Sequence, residues 1–271
     1  STAQHSTAQH TAQHTAQRTL LEMDSAIHRQ NELFEELSSE KARADELLLN
    51  ILPARVADEL KEKKAVQPKF YSTATLLFTD FVGFTSLSEK MEPKSLIELL
   101  DQYFSAFDKI IEKHQIEKLK TIGDAYMCIS GVPSESRGHA IRMCLAALEL
   151  QEYVEKSNIQ REKLRMPRWD MRIGIHSGPV IAGVVGQSKF TYDVWGDTVN
   201  VASLMETNST AGKINISETT CQQVKEIFDI EDRGIVASGK KGDLRMHYLG
   251  KLLPEYSQDA RGVGTNSEFE K

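Results

Sequence analysis

Cysteine is scarce in this chain: Cys128, Cys144 and Cys221 are the whole supply across 271 residues, odd in number and scattered. That pattern excludes a disulfide framework and any metal site built on cysteine spacing, and it fits a reducing, cytosolic compartment. Long apolar runs are missing as well. The longest, such as PVIAGVV, fall far short of the roughly 18 residues a membrane helix needs, and no signal-peptide pattern is present. The chain is expected to be soluble, in a parent protein that is cytoplasmic or attached to a membrane elsewhere. There is no basic excess either: 33 Lys and Arg face 39 Asp and Glu, a net charge of -6. Nucleic acid is therefore not the expected partner, and any phosphate binding must be local. Apolar residues make up 40% of the chain, enough for one large core plus an appendage or for two small domains.

The first 19 residues are near-repeats of Thr-Ala-Gln-His, too low in complexity to build a core. His5, His10 and His14 offer imidazoles without a fold to aim them, so the segment reads as a polar extension. From Met23 onward, Ala26, Leu33, Leu37, Ala44, Leu47 and Ile51 follow alternating spacings of three and four, interrupted by Gln30 and Glu40. That is the pattern of a parallel coiled coil, or of a solvated helix packed on its own domain. Pro53 lacks an amide donor and ends this helix, and a second short helix then carries Val56, Ala57 and Leu60.

The globular part begins near Pro68. ATLLFTDF reads as a strand with Ala74, Leu76 and Phe78 on one face and Asp80 continuing it, an acid that calls for a counter-charge. In VGFTSLSE, Gly83 permits a tight turn whose amides suit an anion, and Thr85, Ser86 and Ser88 offer helix caps. A long amphipathic helix follows Pro93, burying Leu96, Leu100, Tyr103, Phe107 and Ile110 or Ile111. IEKLKTIGDAYMCISGVP reads as a hairpin turning at Gly123 and Asp124. Asp80 and Asp124, one ending a strand and one in a hairpin beside it, are an arrangement that holds Mg²⁺ against a triphosphate, since Mg²⁺ takes few carboxylates plus substrate oxygens.

FTDFVGFT, KLKTIGDAYM, RIGIHSGPVIAGVVG and YDVWGDTVNVAS, in this order, resemble the catalytic domain of class III nucleotidyl cyclases from about Pro68 to Leu249. LLLNILPARVADEL resembles the linker that joins a signalling coiled coil to that domain. The resemblance implies a ferredoxin-like α+β fold, a mixed sheet flanked by helices, preceded by an N-terminal helix or coiled coil. It divides the chain into a polar extension (1–19), coiled coil and transducing linker (20–67), catalytic domain (68–250) and C-terminal tail (251–271). It also implies a head-to-tail homodimer with sites shared between protomers, and an upstream sensor domain in the parent protein.

By the same resemblance, two Mg²⁺ or Mn²⁺ ions per site are held by Asp80, Asp124 and the Phe81 carbonyl, with Gly83, Phe84 and Thr85 near the phosphates. The implied reaction is attack of the ribose 3'-oxygen of ATP on the α-phosphorus, giving 3',5'-cyclic AMP and pyrophosphate. Lys120 and Asp193 match the base-reading positions, with Val194 beside them; the family reads adenine with Lys and Asp and guanine typically with Glu and Cys. Adenine presents an acceptor at N1 and a donor at N6, which fit a lysine and a carboxylate, whereas guanine reverses both. Two mispaired groups at about 1–3 kcal/mol each favour ATP by roughly a hundredfold. Asn200 matches the residue that orients the ribose, on a helix that Asp197 or Thr198 is placed to cap. Lys241, rather than Lys240, matches the lysine that reaches the terminal phosphates.

One position departs from the family. Four residues after Asn200 an arginine is expected to steady the transferring phosphoryl group, and here stands Leu204. Loss of such a donor commonly costs about 10² to 10³ in turnover. The reading is an adenylate cyclase that is either slow, served by another cation, or carrying an introduced leucine at this position, with a weakly active or inactive nucleotide-binding regulatory module and a guanylate cyclase as alternatives. No Gly-Gly-Asp/Glu-Glu-Phe signature points to a diguanylate cyclase.

Overall fold

The computed structural model describes residues 2–89, 91–186 and 189–269, the side chains of 2–17, 19, 22 and 240 excepted. His5, His10, His14 and Lys240 thus lie outside the described side chains. The chain divides into two compact units, Ser1–Ala57 and Asp58–Lys271. In the first, a single helix, α1 (Thr2–Leu49), takes in the Thr-Ala-Gln-His repeats that were expected to be only a polar extension. Their alanine and glutamine content and their lack of Gly and Pro leave the backbone ladder uninterrupted. Met23, Leu33, Leu37, Leu47 and Ile51 are all exposed, so the apolar stripe along this unit is uncovered. The helix stops ahead of Pro53, and α2 (Ala54–Lys63) begins after it.

The second unit is built on an eight-stranded sheet. Along the chain come β1 (Lys69–Phe81), α3 (Phe84–Ser88), α4 (Pro93–Lys113), β2 (Glu117–Ile122), β3 (Ala125–Ser130) and α5 (His139–Lys163). There follow β4 (Met171–Val185), β5 (Thr191–Trp195), α6 (Asp197–Thr207), β6 (Ile214–Ser217), α7 (Glu218–Val224), β7 (Phe228–Ala237) and β8 (Asp243–Leu252). The strand order is β2-β3-β1-β4-β6-β8-β7, with β5 added against β4. β4 and β6 run parallel while the remaining pairs are antiparallel, which gives the expected mixed sheet.

Helices α4, α5 and α7 cover one face. Tyr103, Phe107 and Ile111 of α4 and Met143 and Leu150 of α5 pack there with Leu77, Phe81, Ile173 and Ile175 of the central strands. Of the two isoleucines left open above, Ile111 is buried and Ile110 only partly so. The side chain of Glu92 accepts from the Ser95 amide at 2.9 Å and starts α4. Tyr256, Val263 and Phe269 of the C-terminal segment also pack on this core.

The other face carries α6. Gly174 lies between Ile173 and Ile175 and so points away from the large core. A Cβ there would stand 1.9 Å from the Glu206 amide nitrogen, so only glycine lets α6 sit this close. β1 is accordingly buried on both faces, Leu77 and Phe81 on one and Leu76 and Phe78 on the other, rather than on the single face its alternation suggested. Asp80 shares the α6 side with Leu76 and Phe78.

Candidate active site

Three small polar clusters gather on the α6 side, each built from residues far apart in sequence. The first is at the end of β1. The β2–β3 hairpin turns at Gly123, whose φ of 62° is a left-handed value that glycine adopts freely, and it brings Asp124 alongside Asp80. The Phe81 amide donates to Asp124 Oδ2 at 3.3 Å, and the two carboxyl groups lie within hydrogen-bonding reach of each other. Burial, reinforced by the charge on Asp80, pushes Asp124 up to about 6. This donor set fits divalent cations on its own chemistry: two half-buried carboxylates repel unless positive charge lies between them. Among the described residues no group of three or more His, Cys, Asp or Glu is placed to hold a metal ion by itself, and Mg²⁺ takes few carboxylates plus substrate oxygens. The ring of Phe81 stacks on Trp169 at 4.6 Å, leaving only its backbone to face the acids.

Arg172 supplies the counter-charge that Asp80 called for. It stands opposite Asp80 in the β1–β4 register, with Nη2 2.8 Å from Asp80 Oδ2 and Nε 2.5 Å from Glu206 Oε1. Burial holds Glu206 above the usual carboxylate range even though Arg172 pulls it down. Neither Arg172 nor Glu206 was singled out from sequence, because the register that joins them to Asp80 is set by long-range pairing.

The second cluster is an ion pair between Lys120 of β2 and Asp193 of β5. Lys120 stands opposite Met127, which stands opposite Phe78, so it shares the Asp80 face of the sheet. Asp193 is buried, its Oδ1 accepting from the Val194 amide at 2.9 Å, and Val194 is buried beside it. The two base-reading candidates are thus brought together, each satisfying the other.

The third cluster is the start of α6. Lys241, in the turn before β8, pairs with Asp197, and Asn200 lies exposed in the first turn of the helix. Neither of the caps suggested by sequence forms. The first cap position falls to Gly196, at φ 142° and without a side-chain bond, because Lys241 takes the Asp197 carboxylate and Thr198 Oγ1 donates to the Pro179 carbonyl at 2.6 Å. Leu204, one turn beyond Asn200, is half-buried. In the segment after β1, Gly83 has φ 75° with open space around it and Thr85 is exposed. The Phe84 ring instead faces Trp169 at 6.0 Å, so only its backbone is available to a ligand.

Residues 66–251 match the family described as the adenylate and guanylate cyclase catalytic domain. The chain belongs to this family, the class III nucleotidyl cyclases. It is 38% identical over 232 residues to an adenylate cyclase of Mycobacterium bovis, covering 84% of this chain and 51% of that protein. It is 40% identical over 237 residues to the human atrial natriuretic peptide receptor 2, covering 85% of this chain and 22% of the receptor. The chain thus spans about half or less of these relatives. Among solved structures, the catalytic core of a rhodopsin–guanylyl cyclase with converted specificity, in complex with ATPαS, superposes with a TM-score of 0.63 at 33% identity, over 68% of this chain and 98% of that one. Relatives of both kinds are about equally similar, so base preference must be read from the site residues of the cyclase domain. Among the described residues no helix is long and apolar enough to cross a membrane.

Proposed function

We propose that this cyclase domain converts ATP to 3',5'-cyclic AMP and pyrophosphate, and the observation that carries the reading is the Lys120–Asp193 pair. A lysine donor and a carboxylate acceptor on one face match N1 and N6 of adenine and oppose both edges of guanine. In the free chain the two groups neutralise each other, and an adenine edge entering between them gives each a new partner. Asp80, Asp124 and the Phe81 carbonyl are the residues to hold two divalent cations. Such cations, when bound, acidify the ribose 3'-hydroxyl and offset the charge of the leaving pyrophosphate. Asn200 orients the ribose for attack on the α-phosphorus, and Lys241, released from Asp197, binds the terminal phosphates, with Gly83, Phe84 and Thr85 contributing backbone contacts. Arg172 adds a guanidinium between the acids and α6, placed to balance triphosphate charge.

A head-to-tail homodimer completes the site, and the stripe on α1 pairs with its copy as a parallel coiled coil that passes on an upstream signal. Support for dimerisation comes from Ile122, Ile181 and Trp195, which stay exposed beside the base-reading strands. Leu204 favours a second reading within the same fold, a nucleotide-binding module of low turnover. Purified protein incubated with ATP or GTP and Mg²⁺ or Mn²⁺, over a concentration series, separates these. Cyclic AMP formation rising more than linearly with protein supports the first; ATP binding without product at any concentration leaves only the second. Equal or faster turnover of GTP makes the domain a guanylate cyclase.

A further inference from the structure

On the far side of β1 from the polar clusters, a cavity of about 560 Å³ is lined by Ser72, Thr73, Glu135, Ser136, Arg137, His139 and Gln223. Its walls are hydroxyl, amide and charged groups. Glu135 is paired with Lys69 at 3.2 Å, whereas Arg137 has no hydrogen-bond or ion-pair partner among the described residues. The cavity therefore has one uncommitted cation surrounded by hydrogen-bond donors, which suits a small oxyanion.

His139, buried at the base of this cavity, begins a continuous chain of hydrogen bonds. Its Nε2 lies 3.3 Å from Thr73 Oγ1 and its Nδ1 lies 2.7 Å from Thr75 Oγ1. From Thr75 the chain runs to Ser177 Oγ at 2.8 Å, to Thr220 Oγ1 at 3.0 Å, to Ser217 Oγ at 3.1 Å and to His176 Nδ1 at 2.7 Å. Thr75, Ser177, Thr220 and Ser217 are all buried. The far end reaches α6: a Cβ on Gly178 would lie 3.4 Å from His176 Nε2 and 2.6 Å from Thr198 Oγ1, and the Asp197 charge acts on His176.

Four hydroxyls have four protons to give to five bonds, so with every bond made the two rings cannot both accept at Nδ1. Thr219, whose Oγ1 lies 3.0 Å from Ser217 Oγ and 3.2 Å from His176 Nδ1, gives its own proton to the Ser177 carbonyl at 2.9 Å. In one sense His139 Nδ1–H donates to Thr75, every hydroxyl donates onward, and His176 Nδ1 accepts. In the other, His176 Nδ1–H donates to Ser217, every hydroxyl donates back, and His139 Nδ1 accepts while its Nε2 carries the proton. Both rings are held neutral, as this requires. Burial, helped by Arg142, lowers His139, and burial lowers His176 to about 4 against the opposing pull of Asp197. The two imidazole tautomers are therefore linked across the sheet.

The ionised oxygens of a carboxylate or a phosphate only accept hydrogen bonds. Such an oxygen seated on Arg137 accepts a hydrogen bond from the Thr73 hydroxyl, and Thr73 Oγ1 can then only accept from His139 Nε2–H. We propose that this cavity is a regulatory site for small oxyanions, and that an anion there fixes the His139 tautomer, which the buried hydroxyls transmit to His176 beneath the first turn of α6. The His176 nitrogen facing α6 thereby changes between donor and acceptor next to Thr198, in the turn that carries Asp197 and Asn200. The consequence for catalysis rests on the cyclase reading above; the binding and the relay do not.

The test uses ring-¹⁵N histidine spectra of the full chain without nucleotide or metal. Signals are assigned with His139→Gln and His176→Gln, and inorganic phosphate and succinate are titrated separately to tell phosphate from carboxylate preference. Saturable tautomer shifts at both His139 and His176 are expected with at least one anion and are lost together in Arg137→Ala. Ser177→Ala, and independently Thr75→Val, should leave the His139 response and abolish that of His176. No response of His139 to either anion, or one unchanged by Arg137→Ala, overturns the site. A His176 response that survives both cuts in the hydroxyl chain overturns the relay. Because no turnover is read, an inactive enzyme leaves the result interpretable.

Discussion

Arg172 stands directly across the β1–β4 ladder from Asp80 and bridges it, through contacts of 2.8 and 2.5 Å, to Glu206 of α6. One guanidinium therefore offsets the half-buried Asp80 and the buried Glu206, and Asp80 in turn adjoins Asp124. Arg172→Ala should destabilise the metal-free protein by about 2–3 kcal/mol, since it leaves charge-assisted hydrogen bonds unmade. Divalent cations would restore positive charge at Asp80 and Asp124, so saturating Mg²⁺ should narrow the gap to wild type. Thermal unfolding with and without Mg²⁺ measures this. A gap that Mg²⁺ leaves untouched would argue that the two acids do not form the metal site.

Lys120 and Asp193 each hold the other in place, which makes single and double substitutions behave differently. Lys120→Glu alone sets two carboxylates side by side and should depress use of both nucleotides. Combining it with Asp193→Cys reverses the donor and acceptor pattern and should move the ratio of kcat/KM toward GTP by about a hundredfold. Steady-state kinetics with ATP and GTP checks it, and an unchanged ratio in the double variant removes the basis for reading this pair as the base contact.

Glu117 stands opposite Ile129 in the β2–β3 register, and burial pushes its carboxyl up to about 7 from 4.5. The native state keeps this proton up to about pH 7 while the unfolded chain releases it near 4.5, so between those values the native state binds more protons. Stability therefore falls as pH rises through that window. Glu117→Gln should flatten this fall, gaining on the order of 2 kcal/mol over wild type at pH 8 after allowance for its partial exposure. Urea unfolding at pH 5 and pH 8 reads the difference; parallel losses in both proteins would refute the assignment.

A site shared between protomers has a genetic signature. On the proposed assignment Asp80→Ala removes a metal acid and Asn200→Ala the ribose contact, and each homodimer should be nearly inactive. Mixed heterodimers carry one composite site with both defects and one with neither, so activity should return to at most half that of wild type. Confirmed heterodimers without recovery would place each complete site within a single chain.

The parts legible in sequence were those that local pattern fixes. The strand ending in Asp80, the Gly123 turn and the amphipathic α4 announce themselves through alternation, left-handed glycine and helical spacing. Lys120 and Asp193, 73 residues apart, were joined as base-reading positions only through the family resemblance, and their ion pair is visible only in the structure. What stayed hidden depends on register and on competition for side chains. Arg172 meets Asp80 because two strands 92 residues apart align, and nothing near either residue says so. Asp197 and Thr198 looked like caps because a cap is a local role, yet Lys241 and the Pro179 carbonyl, both distant in sequence, claim them instead.

Leu204 lies one turn after Asn200 on α6, and residues four apart share a helix face. Leu204 is half-buried, and on the proposed cyclase reading its methyl groups stand where a guanidinium would reach toward the ribose and phosphates. Leu204→Arg should therefore raise kcat, by as much as about 10² if no other group fills the role, because a preorganised donor acts on charge that develops in the transition state. Ground-state binding gains little from the same contact, so KM for ATP should change far less than kcat. Arg172 is a candidate for a substitute, being already tied to α6 through Glu206. If Leu204→Arg leaves kcat unchanged, repeating it in Arg172→Ala decides the matter: recovery of turnover there means that Arg172 had been supplying the missing charge, and no recovery means that position 204 does not face the reacting phosphate.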